Sequence, residues 1–239
     1  WLQLYELWRG SVERLSIGER FERITNMAEL AEVELEDRTI AFDLWRRATG
    51  LRPLDLRARQ AFRRLGDLLE RLEVVVSAHE VQLDGLVESE GEDLALYVAQ
   101  LCRQSLADTP RAIVNLLRVT ETFNPRSALG LTELVDCYRH MEDWAPMGAA
   151  IERLASLTED TEARRDYWVE LATLYASRLD APEDAITTWQ KVLAQNAEDL
   201  QALATLGGLF EQVARWEEAL AVWLTVSKLH PEKTIELDV

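Results

Sequence analysis

The chain has 239 residues, of which 48% are apolar and 29% charged, a balance typical of a folded protein and not of a disordered one. Ten glycines and six prolines are few for this length, so the composition favours helices. Acidic side chains outnumber basic ones by 43 to 26, and the net charge of −17 argues against nucleic acid and anionic membranes as partners.

Residues 1–20 are predicted to form a partial repeat, because residues 1 to about 16 match the second helix of a two-helix pattern whose first helix is missing. The sequence begins with Trp1 and shows no signal peptide, so we expect a fragment of a longer array. Trp1 and Trp8 lie on this helix, and we expect one of the two rings to be exposed.

Two complete patterns follow, each predicting a pair of helices because apolar residues recur at spacings of three and four. Residues 21–58 carry the first pattern in Ile24, Met27, Ala28, Ala31, Ala41, Trp45, Ala48 and Pro53. Residues 59–91 carry the second in Phe62, Leu65, Gly66, Leu69 and Ala78, with weaker agreement in the second helix.

Three more copies occupy the middle of the chain. Residues 92–127 repeat the pattern in Val98, Ala99, Cys102, Ala112, Leu116 and Val119, and Asn124-Pro125 closes it. Residues 128–164 repeat it in Leu134, Tyr138, Trp144, Met147 and Ile151. Residues 165–199 repeat it in Trp168, Leu171, Ala172, Tyr175, Ala185, Trp189 and Val192, with one extra residue in the turn.

The last copy, at 200–233, is the clearest, and a tail at 234–239 follows it. Its pattern consists of Leu206, Gly207, Phe210, Ala219, Trp223, Val226 and Pro231. The small residues of the six second helices, with Met147 as the exception in size, are separated by 37, 34, 35, 38 and 34 residues. A period of about 34 residues indicates an array of helical repeats.

This pattern resembles the tetratricopeptide repeat, most closely at Leu206-Gly207, Phe210, Ala219 and Trp223. The resemblance covers nearly the whole chain and implies an all-α fold, a right-handed superhelical α-solenoid of antiparallel helix pairs, with about thirteen helices. One hairpin cannot bury both apolar stripes alone, so each repeat must pack on its neighbours.

The tryptophans also recur with a longer period, which predicts a repeating unit of two helical hairpins, about 72 residues long. Trp1, Val75, Trp144 and Trp216 are assigned to one position in alternate repeats, and Trp45, Leu116 and Trp189 to another position in the intervening ones. We expect six rings to pack in the core: Trp45, Trp144, Trp168, Trp189, Trp216 and Trp223.

No catalytic motif is present in the sequence, so we expect a protein that is not an enzyme and uses no cofactor and no metal. Cys102 and Cys137 lie in apolar helical patterns and are expected to be buried free thiols, which favours a reducing, cytoplasmic compartment. The histidines His79, His140 and His230 fall in different repeats. No apolar stretch is long enough for a transmembrane helix.

In tetratricopeptide-repeat proteins the first helices of successive repeats line the concave face and bind partners. The version that clamps a C-terminal carboxylate uses Lys, Asn and Arg where this chain has residues such as Thr25, Glu29 and Asp67, so that activity is not implied. Carried onto this chain, the resemblance implies a partner-binding surface of Arg63, Asp67, Glu70, Gln100, Arg103, Thr132, Asp136, Arg139, Asp166, Thr173, Gln201 and Glu211.

We therefore expect a protein-interaction scaffold whose partner is another protein or a peptide segment. Acidic residues outnumber arginines on the implied surface, which suits a basic segment held by complementary charge. Two alternatives stay open: a structural or self-associating spacer array, and a docking or regulatory arm of a larger protein.

Overall fold

The computed structural model of the chain describes residues 1–229, so the predictions for His230, for Pro231 and for the tail at 234–239 lie outside it. The described residues contain thirteen α-helices and no strand. In chain order these are α1 Leu2–Ser11, α2 Ile17–Val33, α3 Arg38–Leu51, α4 Leu56–Leu68, α5 Leu72–Leu83, α6 Glu88–Ser105, α7 Thr109–Leu117, α8 Ala128–Met141, α9 Trp144–Leu157, α10 Thr161–Ser177, α11 Pro182–Gln195, α12 Leu200–Gln212 and α13 Trp216–Leu229.

After α1, the helices are joined in pairs by turns of two to four residues, so the two helices of a pair run antiparallel. We call the even-numbered helices from α2 to α12 the first helices and the odd-numbered ones from α3 to α13 the second helices. A 3-10 turn, Val12–Arg14, follows α1, and a π-helical turn, Arg118–Phe123, extends α7. The predicted all-α fold of antiparallel helix pairs is confirmed.

The chain divides into two compact units, Trp1–Gly130 and Leu131–Val239. In the first unit, successive helices from α2 to α7 pack on one another. In the second unit, successive helices from α9 to α13 do the same. Because packing partners are neighbours in sequence, each unit has the nearest-neighbour organisation of a repeat array.

Most of the first helices have an acidic or hydroxyl residue at the N-cap position. Ser16 and Glu19 form a reciprocal capping box at the start of α2. The carboxylates of Asp55, Asp160 and Asp199 accept backbone N–H groups at the starts of α4, α10 and α12. Each such cap satisfies a donor that the helix itself leaves free and contributes about 1 kcal/mol.

The turn inside each helix pair contains one residue with positive φ, and none of the six is glycine. The φ angles lie between 48° and 58°, in the left-handed region, at Glu36, Glu70, Ala107, Glu142, Asp180 and Ala214. These residues are separated by 34, 37, 35, 38 and 34 residues. The turns therefore define the register of the six pairs independently of the apolar pattern.

This register corrects the sequence alignment in the second pair by three residues. The N–H of Arg71, just after the positive-φ Glu70, donates to the carbonyl of Gly66. The equivalent N–H in the last pair, that of Arg215, donates to the carbonyl of Phe210. Gly66 thus occupies the aromatic position and not, as predicted, the position of Gly207.

The shift also moves the assignments in the second helix. Five residues after the left-handed turn residue stands alanine in four of the six pairs, Met147 in the fourth pair and Val75 in the second. Ala78, the predicted small residue, is half-exposed, and Leu72 takes the position that was assigned to Val75. A Cβ on Gly66 would lie 2.5 Å from Cγ2 of Val75, so the larger valine fills the space left by the missing aromatic ring.

Tryptophan burial follows the prediction in the interior of the array and departs from it at α13. Trp45, Trp168 and Trp189 are buried, as expected. Trp216 is 64% exposed, so the prediction of core packing is wrong for it. Trp223 is 37% exposed, and its indole packs against Gly207 of α12 on one side only. Leu220 and Leu224 of α13 are exposed too.

At the other end of the described chain, Trp1 is 65% exposed, in line with the expectation that one ring on α1 would face solvent. Trp144 is half-buried at the start of α9, with the guanidinium of Arg178 4.9 Å from its ring centre.

Candidate partner-binding surface

In the first unit, the predicted surface residues lie on α4 and α6 and in the turn after α4. Arg63 and Asp67 are exposed, one helical turn apart on α4. Glu70 is exposed as well, but it is the positive-φ residue of the turn and not part of the helix. Gln100 and Arg103 lie one turn apart on α6, and the amide nitrogen of Gln100 donates to Gln104 at 3.3 Å.

In the second unit, the predicted residues lie on three first helices. Thr132, Asp136 and Arg139 follow one another at spacings of four and three on α8, and all are exposed. Asp166 and Thr173 are exposed at a spacing of seven on α10. Residues at these spacings share a helix face.

Gln201 and Glu211 stand near opposite ends of α12 and are exposed. Their spacing of ten residues does not place them on one face of the helix. Thr25, which the sequence comparison placed on the same surface, is buried, and its hydroxyl donates to the carbonyl of Glu22 at 2.9 Å.

Some of these side chains already have partners in the fold. Arg139 donates to Asp136 at 2.6 Å and to Glu170 at 2.7 Å, and the hydrogen bond to Glu170 is the main cause of the raised pKa of Arg139. Glu211 accepts the indole N–H of Trp223 at 2.7 Å. Neither Asp136 nor Glu211 therefore faces solvent as an unbound carboxylate.

Asp67 and Glu70 differ from these two, since neither side chain makes an ion pair or a hydrogen bond to any described residue. Asp166 is exposed, and within residues 1–229 its one ion pair is a long contact of 3.4 Å to the neighbouring Arg165. Two carboxylates of the first unit, Asp67 and Glu70, are thus available to a cation from outside, and Asp166 in the second unit is only weakly engaged.

Arginines join successive repeats through carboxylates about one repeat away, a feature that the sequence analysis did not identify. Within the described residues, such pairs include Arg59–Asp93, Arg64–Glu32, Arg118–Asp84, Arg165–Asp199 and Arg215–Glu183, at separations of 32 to 34 residues. The signal was present in the sequence, because Arg and Asp or Glu recur at the repeat period.

Arg111 is the most heavily bonded of these arginines. Its guanidinium donates to both carboxylate oxygens of Glu80, at 2.9 and 2.7 Å, and also contacts Glu73 and Ser77 on the same second helix, α5. Hydrogen bonding to Arg111 is the main cause of the lowered pKa of Glu80. Much of the basic charge of the chain is therefore engaged within the fold, while the acidic surplus stays on the surface.

Groups that could carry chemistry are few in the described range. Both cysteines are buried and outside any disulfide, as predicted, and burial raises the pKa of Cys102 to about 12, so that this thiol stays protonated. Residues 1–229 contain no group of three or more His, Cys, Asp or Glu arranged to hold a metal ion. None of the helices in this range is both long and apolar enough to cross a membrane.

The helix-pair fold can be compared with known proteins. No family model matches the chain, and no curated protein matches it. Among solved structures, YrrB, described as a TPR protein with an unusual peptide-binding site, is similar at 15% identity and a TM-score of 0.42, covering 84% of this chain and 98% of its own.

MamA is similar at 15% identity and a TM-score of 0.41, covering 71% of this chain and 95% of its own. A tetratricopeptide repeat protein from Parabacteroides merdae is similar at 13% identity and a TM-score of 0.41, covering 87% of this chain and 79% of its own. Solved tetratricopeptide-repeat proteins are thus among the structures similar to this chain, as the sequence pattern predicts. At these identities and scores the likeness says nothing of what this chain binds.

Proposed function

We propose that the chain is a protein-interaction scaffold that holds a basic segment of a partner protein against its first helices. The observation that supports this role is the set of exposed carboxylates Asp67, Glu70 and Asp166, of which the first two make no ion pair to a described residue and the third makes only a long one, to Arg165 at 3.4 Å. In a chain of net charge −17, these groups add short-range attraction for Lys or Arg to a long-range field that attracts cations.

Other predicted residues contribute contacts that do not depend on charge. Gln100 in the first unit, and Thr173 and Gln201 in the second, have exposed amide or hydroxyl groups on first helices, and each can contribute a hydrogen bond to a bound segment. In the first unit Arg63 repels a cation, so we place the basic residues of the partner nearer Asp67 and Glu70, at the C-terminal end of α4. The bound segment would be released by salt, since exposed charge pairs are screened.

A charge-reversal experiment tests this proposal. The triple substitution Asp67→Lys, Glu70→Lys and Asp166→Lys should abolish partner capture in a pull-down at 50 mM salt, and wild-type capture should fall roughly tenfold or more at 300 mM. A control with the same change in net charge reverses three exposed acids of the second-helix layer: Glu121→Lys, Asp184→Lys and Glu217→Lys.

The control variant should keep its partner with little loss of affinity. If both triple variants lose the partner equally, net charge alone drives binding. If neither does, the first helices are not the binding surface. Circular dichroism of both variants establishes that the helices are intact.

A further inference from the structure

An open groove runs between the second helices α3 and α5 in the first unit, and its lining includes none of the carboxylates of the proposed surface. It has a volume of about 780 Å³, within the range of ligand-binding clefts. Arg46 and Arg47 line one wall, and Ala78, Val81 and Gln82 line the other. Gly50, Pro53, Gly85 and Leu86 complete the lining.

One stripe of α5 that faces solvent is apolar. Val74 and Val81 are 40% and 73% exposed, and Ala78, between them, is half-exposed. These residues follow one another at spacings of four and three, so they form one stripe on the outer face of the helix. The outer face of a surface helix is normally polar, and an apolar stripe there marks a contact surface.

The groove also lets another backbone approach closely, because two of its lining residues have no side chain. A Cβ added to Gly50 would meet no atom within 4 Å, so the space above it is empty. At Gly85 the nearest atom to such a Cβ is the carbonyl oxygen of Gln82, at 3.8 Å. An apolar side chain from outside can therefore reach Val81 without displacing any part of the groove.

The charge of the groove is opposite to that of the chain. The residues that line it include two arginines and no acidic residue, although the chain has 43 acidic residues and a net charge of −17. Arg46 is half-exposed, and its partner Asp43 is 3.8 Å away on the same helix, a weak pair that a closer carboxylate can replace. Arg47 contacts Glu13, whose carboxylate is shared with Arg20 at 3.4 Å, so two cations here face one anion.

We propose that this α3–α5 groove docks an acidic, apolar peptide segment of a partner protein, which places an apolar side chain over Val81 and a carboxylate against Arg46 and Arg47. The apolar contact supplies affinity, and the arginines select carboxylate-bearing segments. This partner chemistry is the reverse of the basic segment proposed for the first helices. The two proposals can therefore fail separately.

The test uses a phage-displayed library of random 12-residue peptides selected on the whole chain. We expect the enriched peptides to combine Asp or Glu with a large apolar residue. By fluorescence polarisation of synthetic copies, Arg46→Glu and Val81→Lys should each weaken binding roughly tenfold or more. Arg9→Glu and Val33→Lys, at comparably exposed positions away from the groove, should leave binding unchanged.

Three results would overturn the proposal: no enrichment, enrichment of basic peptides, or binding that is insensitive to both groove substitutions. A fourth is a dimer seen by light scattering that dissociates in Val81→Lys, because a second copy of the chain would then occupy the groove. Asp67→Lys and Glu70→Lys should leave peptide binding to the groove intact.

Discussion

Gly207 and Gly208 are neighbours on α12 with opposite surroundings. A Cβ on Gly207 would lie 2.8 Å from Cε2 of Trp223, whereas a Cβ on Gly208 would meet nothing within 4 Å. Gly208→Ala should therefore stabilise the protein by about 0.5–1 kcal/mol through helix propensity. Gly207→Ala should destabilise it by about 1 kcal/mol, because overpacking against the indole outweighs the same gain. Urea unfolding of the two variants measures the difference, and equal effects would contradict the packing argument.

His79 is buried at the position that tryptophan occupies in three other pairs. It stands nine residues after its left-handed turn residue, as do Trp45, Trp189 and Trp223. Its ring contacts Phe62 and Tyr97 edge-on, at centroid distances of 5.8 and 5.5 Å. Its Nδ1 lies 2.9 Å from the side-chain oxygen of Gln82, and its Nε2 has no partner.

Burial, with a smaller contribution from Arg59, lowers the pKa of His79 to about 4. The unfolded chain, with an ordinary histidine pKa near 6.5, binds a proton at a pH where the folded chain does not. Stability is therefore full above pH 6.5 and falls as the pH drops towards 4. We expect the titration of this histidine to lower the free energy of unfolding by about 2 kcal/mol between pH 7 and pH 5.

Urea unfolding at several pH values measures that loss. His79→Phe keeps an aromatic ring without a titrating group, so the stability of this variant should fall less between pH 7 and pH 5. His140→Gln, at an exposed position on α8, should reproduce the wild-type profile. If the profile of His79→Phe matches that of the wild type, other groups cause the acid sensitivity.

The turns between paired helices show what the sequence could and could not predict at the level of elements. The helix pairs themselves followed from apolar spacing, because burial imposes it on every repeat. The three-residue error in the second pair arose because Leu65-Gly66 has the same residue types as Leu206-Gly207 of the last repeat. Only the left-handed turn at Glu70 fixes the register, and no glycine marks that turn in the sequence.

The same turns can be strengthened by glycine. Ala214 has φ 58°, a conformation that costs a residue with a Cβ about 1 kcal/mol more than glycine. We expect Ala214→Gly to stabilise the protein by about 0.5–1 kcal/mol. Ala149→Gly, at an exposed site inside α9 of the same unit, should destabilise it by about 1 kcal/mol. Thermal unfolding compares the two, and a loss of stability in Ala214→Gly would show that the turn gains nothing from glycine.

The candidate surface was predictable in outline but not in detail. The first helices carry most of the expected polar residues, because helical periodicity decides which positions are exposed. Which carboxylates remain available depended on partners elsewhere in the fold, such as Arg139 for Asp136 and Trp223 for Glu211. The α3–α5 groove was not predicted either. Its walls come from two repeats, and in the sequence its arginines cannot be distinguished from other charged residues on the surface.

Charge acts on the whole molecule in two opposing ways. The ion pairs between repeats attract over short distances, and where the carboxylate is exposed, as in Arg118–Asp84 and Arg215–Glu183, each pair contributes at most about 1 kcal/mol. The surplus of 17 negative charges repels over tens of ångströms at low salt. Folding brings these surplus charges closer together than they are in the unfolded chain, so repulsion opposes folding.

We therefore expect sodium chloride to stabilise the protein. Between 10 and 300 mM, the screening length falls from about 30 Å to about 6 Å, which removes most of the long-range repulsion while neighbouring ion pairs lose less. The free energy of unfolding in urea should rise by roughly 1–3 kcal/mol over this range. Glu121→Gln with Glu217→Gln, which removes two surplus charges at exposed positions, should reduce the gain. A fall in stability with added salt would mean that the ion pairs between repeats outweigh the repulsion.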